Sequence, residues 1–239
     1  MNLTIFWLYP EYMSTYGDRG NIICLSNRCR WRGIKVKITG DLKNADLIFG
    51  GGAQARQQSL IINDLLKQKE RLREMFTNKI PGLFVCGSPQ LLGHYYETAD
   101  GKKLPGLGLF DMVTKSGFGK KRLIGNLVAK TDLGTIVGFE NHSGRTYLGK
   151  VKPFGKVLFG FGNNGEDQTE GAIYQNIIAT YSHGPFLPKN PRVADWLIKK
   201  ALDIKYAKEV ELEPLDDRLE WQAHNFILKK LTGFPLSRE

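Results

Sequence analysis

The stretch Leu83-Phe84-Val85-Cys86-Gly87-Ser88-Pro89-Gln90 joins an apolar run to a helix start through a single cysteine. Residues 83–85 read as a short buried strand, set off from what precedes by Pro81. Ser88 and Pro89 supply an N-cap and first-turn pair, predicting a helix over residues 90–97. Cys86 therefore stands at a strand's carboxyl end, where open α/β sheets put their ligands. Upstream the pattern repeats. Residues 3–9 (LTIFWLY) read as a buried strand ended by Pro10, and 20–32 as a helix with Ile22, Ile23 and Cys29 inward. Residues 34–38 (IKVKI) alternate at period two, the mark of a strand with one face solvated. Residues 45–49 (ADLIF) form a further short strand, followed at once by Gly50-Gly51-Gly52. From 56 to 78, Leu60, Ile61, Leu65, Leu66, Leu72 and Phe76 recur at helical spacing. This β-α-β-α-β order predicts a mostly parallel sheet flanked by helices.

The second half carries strand patterns at 123–129, 135–140, 156–161 and 172–181, separated by glycine-rich turns, before helical periodicity returns at 191–205 and 215–231. The expectation is an α/β fold with added antiparallel strands, one domain over 1–239, and a C-terminal helical extension over about 206–239. The composition, 41% hydrophobic and 24% charged over 239 residues, excludes disordered, collagen-like and coiled-coil classes. No apolar run approaches the ~20 residues of a bilayer-crossing helix, and the start Met1-Asn2-Leu3-Thr4 lacks a basic leader segment. Three cysteines cannot all pair, and their spacing fits no metal site, so a reducing cytoplasmic setting is expected. The net charge of +10 is spread along the chain without interleaved aromatics, so no nucleic-acid partner is expected.

Cys86 is the first candidate for chemistry. A helix start beside a thiol favours the thiolate, and a sharp strand–cysteine–helix turn leaves backbone N–H groups free to hold an oxyanion. A nucleophilic thiol needs a base. His94 falls within the helix predicted after Cys86, and His224 within the last helix, where both read as structural. His142 lies in a polar loop after a strand; His183 ends a strand-like run before Gly184-Pro185 and is the favoured base. The glycines of 50–52 suit a loop whose amides approach a ligand closely. That loop matches neither GxGxxG nor a P-loop, so a nucleotide site in this chain is not supported. Residue chemistry alone ends at a cysteine-nucleophile hydrolase or transferase.

Five segments extend this reading: Tyr16-Gly17-Asp18-Arg19-Gly20-Asn21, Phe49-Gly50-Gly51-Gly52, Cys86-Gly87-Ser88-Pro89-Gln90-Leu91-Leu92-Gly93, Gly138-Phe139-Glu140-Asn141-His142 and His183-Gly184-Pro185. Together and in this order they resemble the cobyric-acid-synthase-like class I glutamine amidotransferases, most closely the GatD type that works with MurT. The resemblance implies a flavodoxin-like fold and hydrolysis of L-glutamine to glutamate and ammonia. Cys86 would be the nucleophile and His183 the base, Arg122 would bind the substrate, and the amides of Gly52 and Gly87 would hold the oxyanion. It also implies a heterodimer with a MurT-like Mur-ligase-family subunit that binds ATP and Mg and amidates the D-glutamate of lipid II; no cofactor or metal falls to this chain. A cobyrinate-like acceptor, or a silent binding subunit, are the competing implications. Many relatives place a carboxylate two residues after the histidine, where this chain has Pro185, so the resemblance implies that a partner aspartate completes the site and that the isolated chain is weakly active. Phe84 and Ser88 also stand where such enzymes usually carry glycine. Asp18 and Asn21 read as helix capping and loop bonding.

Overall fold

The computed structural model describes residues 1–233 of the chain. In chain order its elements are β1 (Asn2–Leu8), α1 (Arg19–Trp31), β2 (Lys35–Thr39), β3 (Leu47–Gly50), α2 (Ala55–Lys67), α3 (Lys69–Thr77), β4 (Gly82–Val85) and α4 (Gly87–Leu92). There follow β5 (Tyr95–Glu97), β6 (Lys103–Pro105), β7 (Met112–Lys115), β8 (Leu123–Thr131), β9 (Gly134–His142) and β10 (Arg145–Leu148). The chain continues through β11 (Gly155–Phe159), β12 (Thr169–Glu170), β13 (Ala172–Tyr174), β14 (Ile177–Thr180), α5 (Pro191–Tyr206) and α6 (Arg218–Thr232).

The main sheet has the order β13-β14-β4-β3-β1-β2, parallel throughout except for the antiparallel edge strand β13. Its parallel part follows the flavodoxin-like doubly wound order, with a switch point between β1 and β3, so the loops leaving those strands diverge and open a crevice. Strands β3, β4 and β14 are buried on both faces, which explains their unbroken apolar runs. One face packs on α1 and α5 through Leu25, Phe49, Val85, Leu197 and Ile198; the other packs on α2 and α3 through Ile48, Phe84, Leu65 and Phe76. Two four-stranded sheets, β10-β7-β5-β6 and β12-β11-β8-β9, are added between β4 and β14. Backbone bonds between Phe139 and His183 join the second of them to the segment after β14.

Several sequence expectations need correction. The helix over 56–78 is two helices, with Gln68 leaving helical geometry (φ −92°, ψ 0°) between them. Leu60 is 65% exposed and Ile23 is 51% exposed, because apolar type alone does not say which face of a helix a residue occupies. The helix over 90–97 begins earlier, at Gly87, and stops at Leu92; Gly93 is extended, and Tyr95 to Glu97 form β5 against β6 and β7. Residues 172–181 are a hairpin, β13 and β14, turning at Gln175 with φ +53°. The extension past 206 is an irregular segment followed by α6, and its residues 234–239 lie outside the described residues. Among the described residues, no helix is long and apolar enough to cross a membrane.

Candidate active site

Cys86 occupies the sharp elbow between β4 and α4, with φ +53° and ψ −97°, a strained conformation for a residue with a Cβ. Three contacts hold it. Its own N–H donates to Thr180 O on β14 at 2.8 Å. The Ser88 hydroxyl donates to Gly50 O at 2.7 Å and accepts the Val85 amide at 2.9 Å, tying the turn to the glycine loop. Gly87 lies so close to Ala53 that an added Cβ would fall 2.3 Å from its carbonyl oxygen. Phe84 packs beneath the elbow, edge-on to Phe76 at 6.0 Å, so the bulky side chain fills the core without displacing the turn.

His183 is fully buried three residues past β14, its backbone fixed by the paired bonds to Phe139. Its Nδ1 stands 3.2 Å from Asp18 Oδ1, and its Nε2 meets no other nitrogen or oxygen, which leaves that atom for the thiol. Burial on its own would lower the His183 pKa. The negative charge of Cys86 and the hydrogen bonds with Asp18 and Cys86 outweigh it and raise the value to about 10. Cys86, His183 and Asp18 all converge on Gly52: a Cβ added there would lie 3.4 Å from Cys86 Cβ, 2.8 Å from His183 Cε1 and 3.0 Å from Asp18 Oδ2.

Asp18 is the residue that sequence reasoning misplaced. It precedes α1 but makes no capping bond; its carboxylate is buried and turned inward to His183 and the Gly52 amide. The start of α1 is bolted to the histidine segment at two further points. Asn21 Oδ1 accepts the Leu187 amide at 2.8 Å, and Gly20 approaches Pro185 so closely that an added Cβ would lie 2.5 Å from Cγ. The carboxylate absent at Pro185 is thus supplied from the loop after β1, within this chain. The segments Tyr16–Asn21 and His183–Pro185 were the available signal, but only folding brings them together.

Cys86 borders a cavity of about 380 Å³ lined also by Tyr16, Gln58, Gln90, Arg122 and His142, among others. Arg122 is oriented by Asn141, donating from Nε to Oδ1 at 2.6 Å and from Nη2 to the carbonyl at 3.0 Å. His142 is not in a loop as expected but ends β9, buried and stacked on Tyr181 at 3.7 Å. Burial drives its pKa down to about 3, so it is neutral, and Nδ1 donates to Gly144 O at 2.8 Å. His94 lies outside α4 and meets Asp111, while His224 packs in α6 against Lys189 O; neither lines the cavity. The Gly52 amide, expected to face an oxyanion, instead donates to Asp18 Oδ2 at 2.6 Å. Gly87 opens α4, where a backbone N–H has no acceptor within the helix.

A family model described as the CobB/CobQ-like glutamine amidotransferase domain matches residues 4–191. The chain is 41% identical to the lipid II isoglutaminyl synthase (glutamine-hydrolyzing) subunit GatD of Staphylococcus aureus strain N315, across 99% of both chains. It is 38% identical to the subunit of the same description from Streptococcus pneumoniae, over 91% of this chain and 87% of that one. A crystal structure of a glutamine amidotransferase shares the fold at a TM-score of 0.58 and 14% identity, covering 82% of this chain and 98% of that one. By the matched model and by full-length similarity at this identity, the chain belongs to the CobB/CobQ-like glutamine amidotransferase family.

Proposed function

We propose that the chain is the glutaminase subunit of a lipid II isoglutaminyl synthase. It hydrolyses L-glutamine and passes the ammonia to a MurT-like, ATP-dependent ligase subunit that amidates the D-glutamate of the peptidoglycan stem. The observation that carries the reading is the convergence of Cys86, His183 and Asp18 on Gly52, beside a cavity bordered by Arg122. Similarity across whole chains to two GatD subunits supports this acceptor over a cobyrinate-like one. The assembled nucleophile and base argue against a silent binding subunit. ATP and Mg are assigned to the partner.

Arg122 holds the substrate α-carboxylate, for which a guanidinium oriented by Asn141 is well shaped. The Cys86 thiolate attacks the side-chain amide carbon, and the Gly87 amide receives the developing oxyanion. His183, held by Asp18, gives its proton to the departing ammonia as the C–N bond breaks. It then takes a proton from the water that hydrolyses the γ-glutamyl thioester, releasing glutamate and restoring the thiolate. Gly52 can join Gly87 only when its amide leaves Asp18, which gives a physical reason for weak activity of the isolated chain. Ammonia release from L-glutamine by the chain, alone and with the partner, tests the reading.

A further inference from the structure

Two side chains lining the active-site cavity carry a buried atom without a hydrogen-bond partner, His142 Nε2 and Gln58 Oε1. The first is the lone pair of a neutral imidazole 3.5 Å from Glu140 Oε2, and burial raises that carboxyl to about 7, so a protonated Glu140 can supply the hydrogen it lacks. Gln58 has no such neighbour. It projects from α2, is 2% exposed, and its Nε2 donates to Ala53 O at 3.1 Å and to Gln90 Oε1 at 2.8 Å. Both of those partners are oxygens, so the amide can face them only through its nitrogen.

The same polarity runs on through the core. Gln90 Nε2 donates to the Tyr181 hydroxyl at 3.1 Å, which lies 2.7 Å from Thr146 Oγ1, itself 2.7 Å from Thr114 Oγ1. Reversing either amide would set two nitrogens or two oxygens face to face, so the chain of bonds fixes both orientations. Gln58 Oε1 is the open, accepting end of this chain. A buried acceptor left open is costly unless something comes to pair it.

The cavity lining shows what that something is. Among the described residues it carries one cation, Arg122, and no carboxylate side chain. Around Arg122 the acceptors are engaged: both Asn141 oxygens by Arg122 itself, Ser143 O by Arg145 and Gly144 O by His142. A substrate with a carboxylate for Arg122 and a second, cationic group would find its matching acceptor at Gln58. We propose that Gln58 Oε1 accepts the α-ammonium group of the substrate, so that Gln58 selects an α-amino acid amide over the same amide lacking its amino group. This rests on the glutamine reading above and names the residue that enforces it.

The test is protection of Cys86 in the full chain against alkylation by iodoacetamide, read by mass spectrometry of the Cys86 peptide. Burial raises the thiols of Cys24 and Cys29 to about 12, so they react slowly and serve as internal references. L-Glutamine should half-protect the wild-type chain at a concentration at least about tenfold below that of 4-carbamoylbutanoate, which is glutamine without its α-amino group. In Gln58→Leu the glutamine value should rise by about the same factor to meet the 4-carbamoylbutanoate value, which stays unchanged. An unchanged alkylation rate without protectant shows that fold and thiol are intact; should Gln58→Leu not fold, Gln58→Met is read in the same way. A variant that keeps the wild-type preference, or that weakens both protectants equally, overturns the proposal. Failure of L-glutamine to protect the wild-type chain would instead overturn the glutamine reading itself.

Discussion

Asp18 divides its carboxylate between two parts of the site: Oδ1 stands 3.2 Å from His183 Nδ1, and Oδ2 accepts the Gly52 amide at 2.6 Å. One side chain therefore fixes the histidine's orientation and sets the direction of a backbone donor in the glycine loop. Thr15 completes the clamp, donating from Oγ1 to Gly52 O at 2.9 Å. The loop after β1 thus controls both polar groups of Gly52.

Asp18→Asn keeps the shape but removes the charge that supports the imidazolium. Glutaminase kcat should fall on the order of 100-fold or more with KM little changed, as expected when general acid–base catalysis is impaired. The pH profile should show a lower apparent pKa for His183, since a hydrogen bond and a charge that raise it are lost.

Gly52→Ala puts a methyl group 2.8 Å from His183 Cε1 and 3.0 Å from Asp18 Oδ2. On the proposed function it should therefore lower kcat markedly while the unfolding midpoint falls little, because it displaces the proposed base and the carboxylate that holds it. Steady-state kinetics and thermal unfolding measured on the same preparation make the comparison.

Arg122→Leu removes the cation at the cavity and should raise KM for L-glutamine at least about tenfold, as for other charged hydrogen bonds to substrate. Arg122→Lys should recover part of this loss, since charge survives without the fork held by Asn141.

Glu140 and Glu170 are buried behind the site, and burial raises both to about 7. The folded chain therefore holds protons that unfolded carboxylates, titrating near 4.5, have released. Their contribution favours folding below that unfolded value and is lost as pH rises through 7. Glu170→Gln removes one such group, so between pH 5 and 8 the variant should lose less stability than wild type, by up to about 3 kcal/mol at the upper end. Urea unfolding at the two pH values measures the difference.

Arg28 is buried between Asp195 on α5 and Asp217 at the start of α6, at 2.7 and 2.6 Å. Arg28→Met would strand the Asp217 carboxylate, while Arg32 still pairs with Asp195, and should cost about 3 kcal/mol. Hydrogen exchange should quicken first in α6, which Arg28 ties to the main body.

The elbow at Cys86 was legible because its signal is local: an apolar run, a cysteine, a glycine and a helix start fall within a few residues. His183 was legible for the same reason, as a strand end before a Gly-Pro turn. Asp18 was not, because its partner lies 165 residues away and an aspartate before a helix ordinarily reads as a cap. Gln58 was hidden within an ordinary amphipathic helix, since burial and bond direction cannot be read from periodicity. The strands β5, β6, β7 and β10 have three or four residues each, too few for a period to show. The break at Gln68 leaves the apolar spacing of α2 and α3 almost in phase, so the two helices read as one.

On the proposed function, Cys86 is the nucleophile of a glutaminase that serves a ligase partner. The most direct test is ammonia release from L-glutamine by wild type and Cys86→Ala, each alone and with the co-expressed Mur-ligase-like subunit. The expected result is weak release by the wild-type chain alone, strong release with the partner, and none from Cys86→Ala in either state. Ammonia release by Cys86→Ala at the wild-type rate would contradict it.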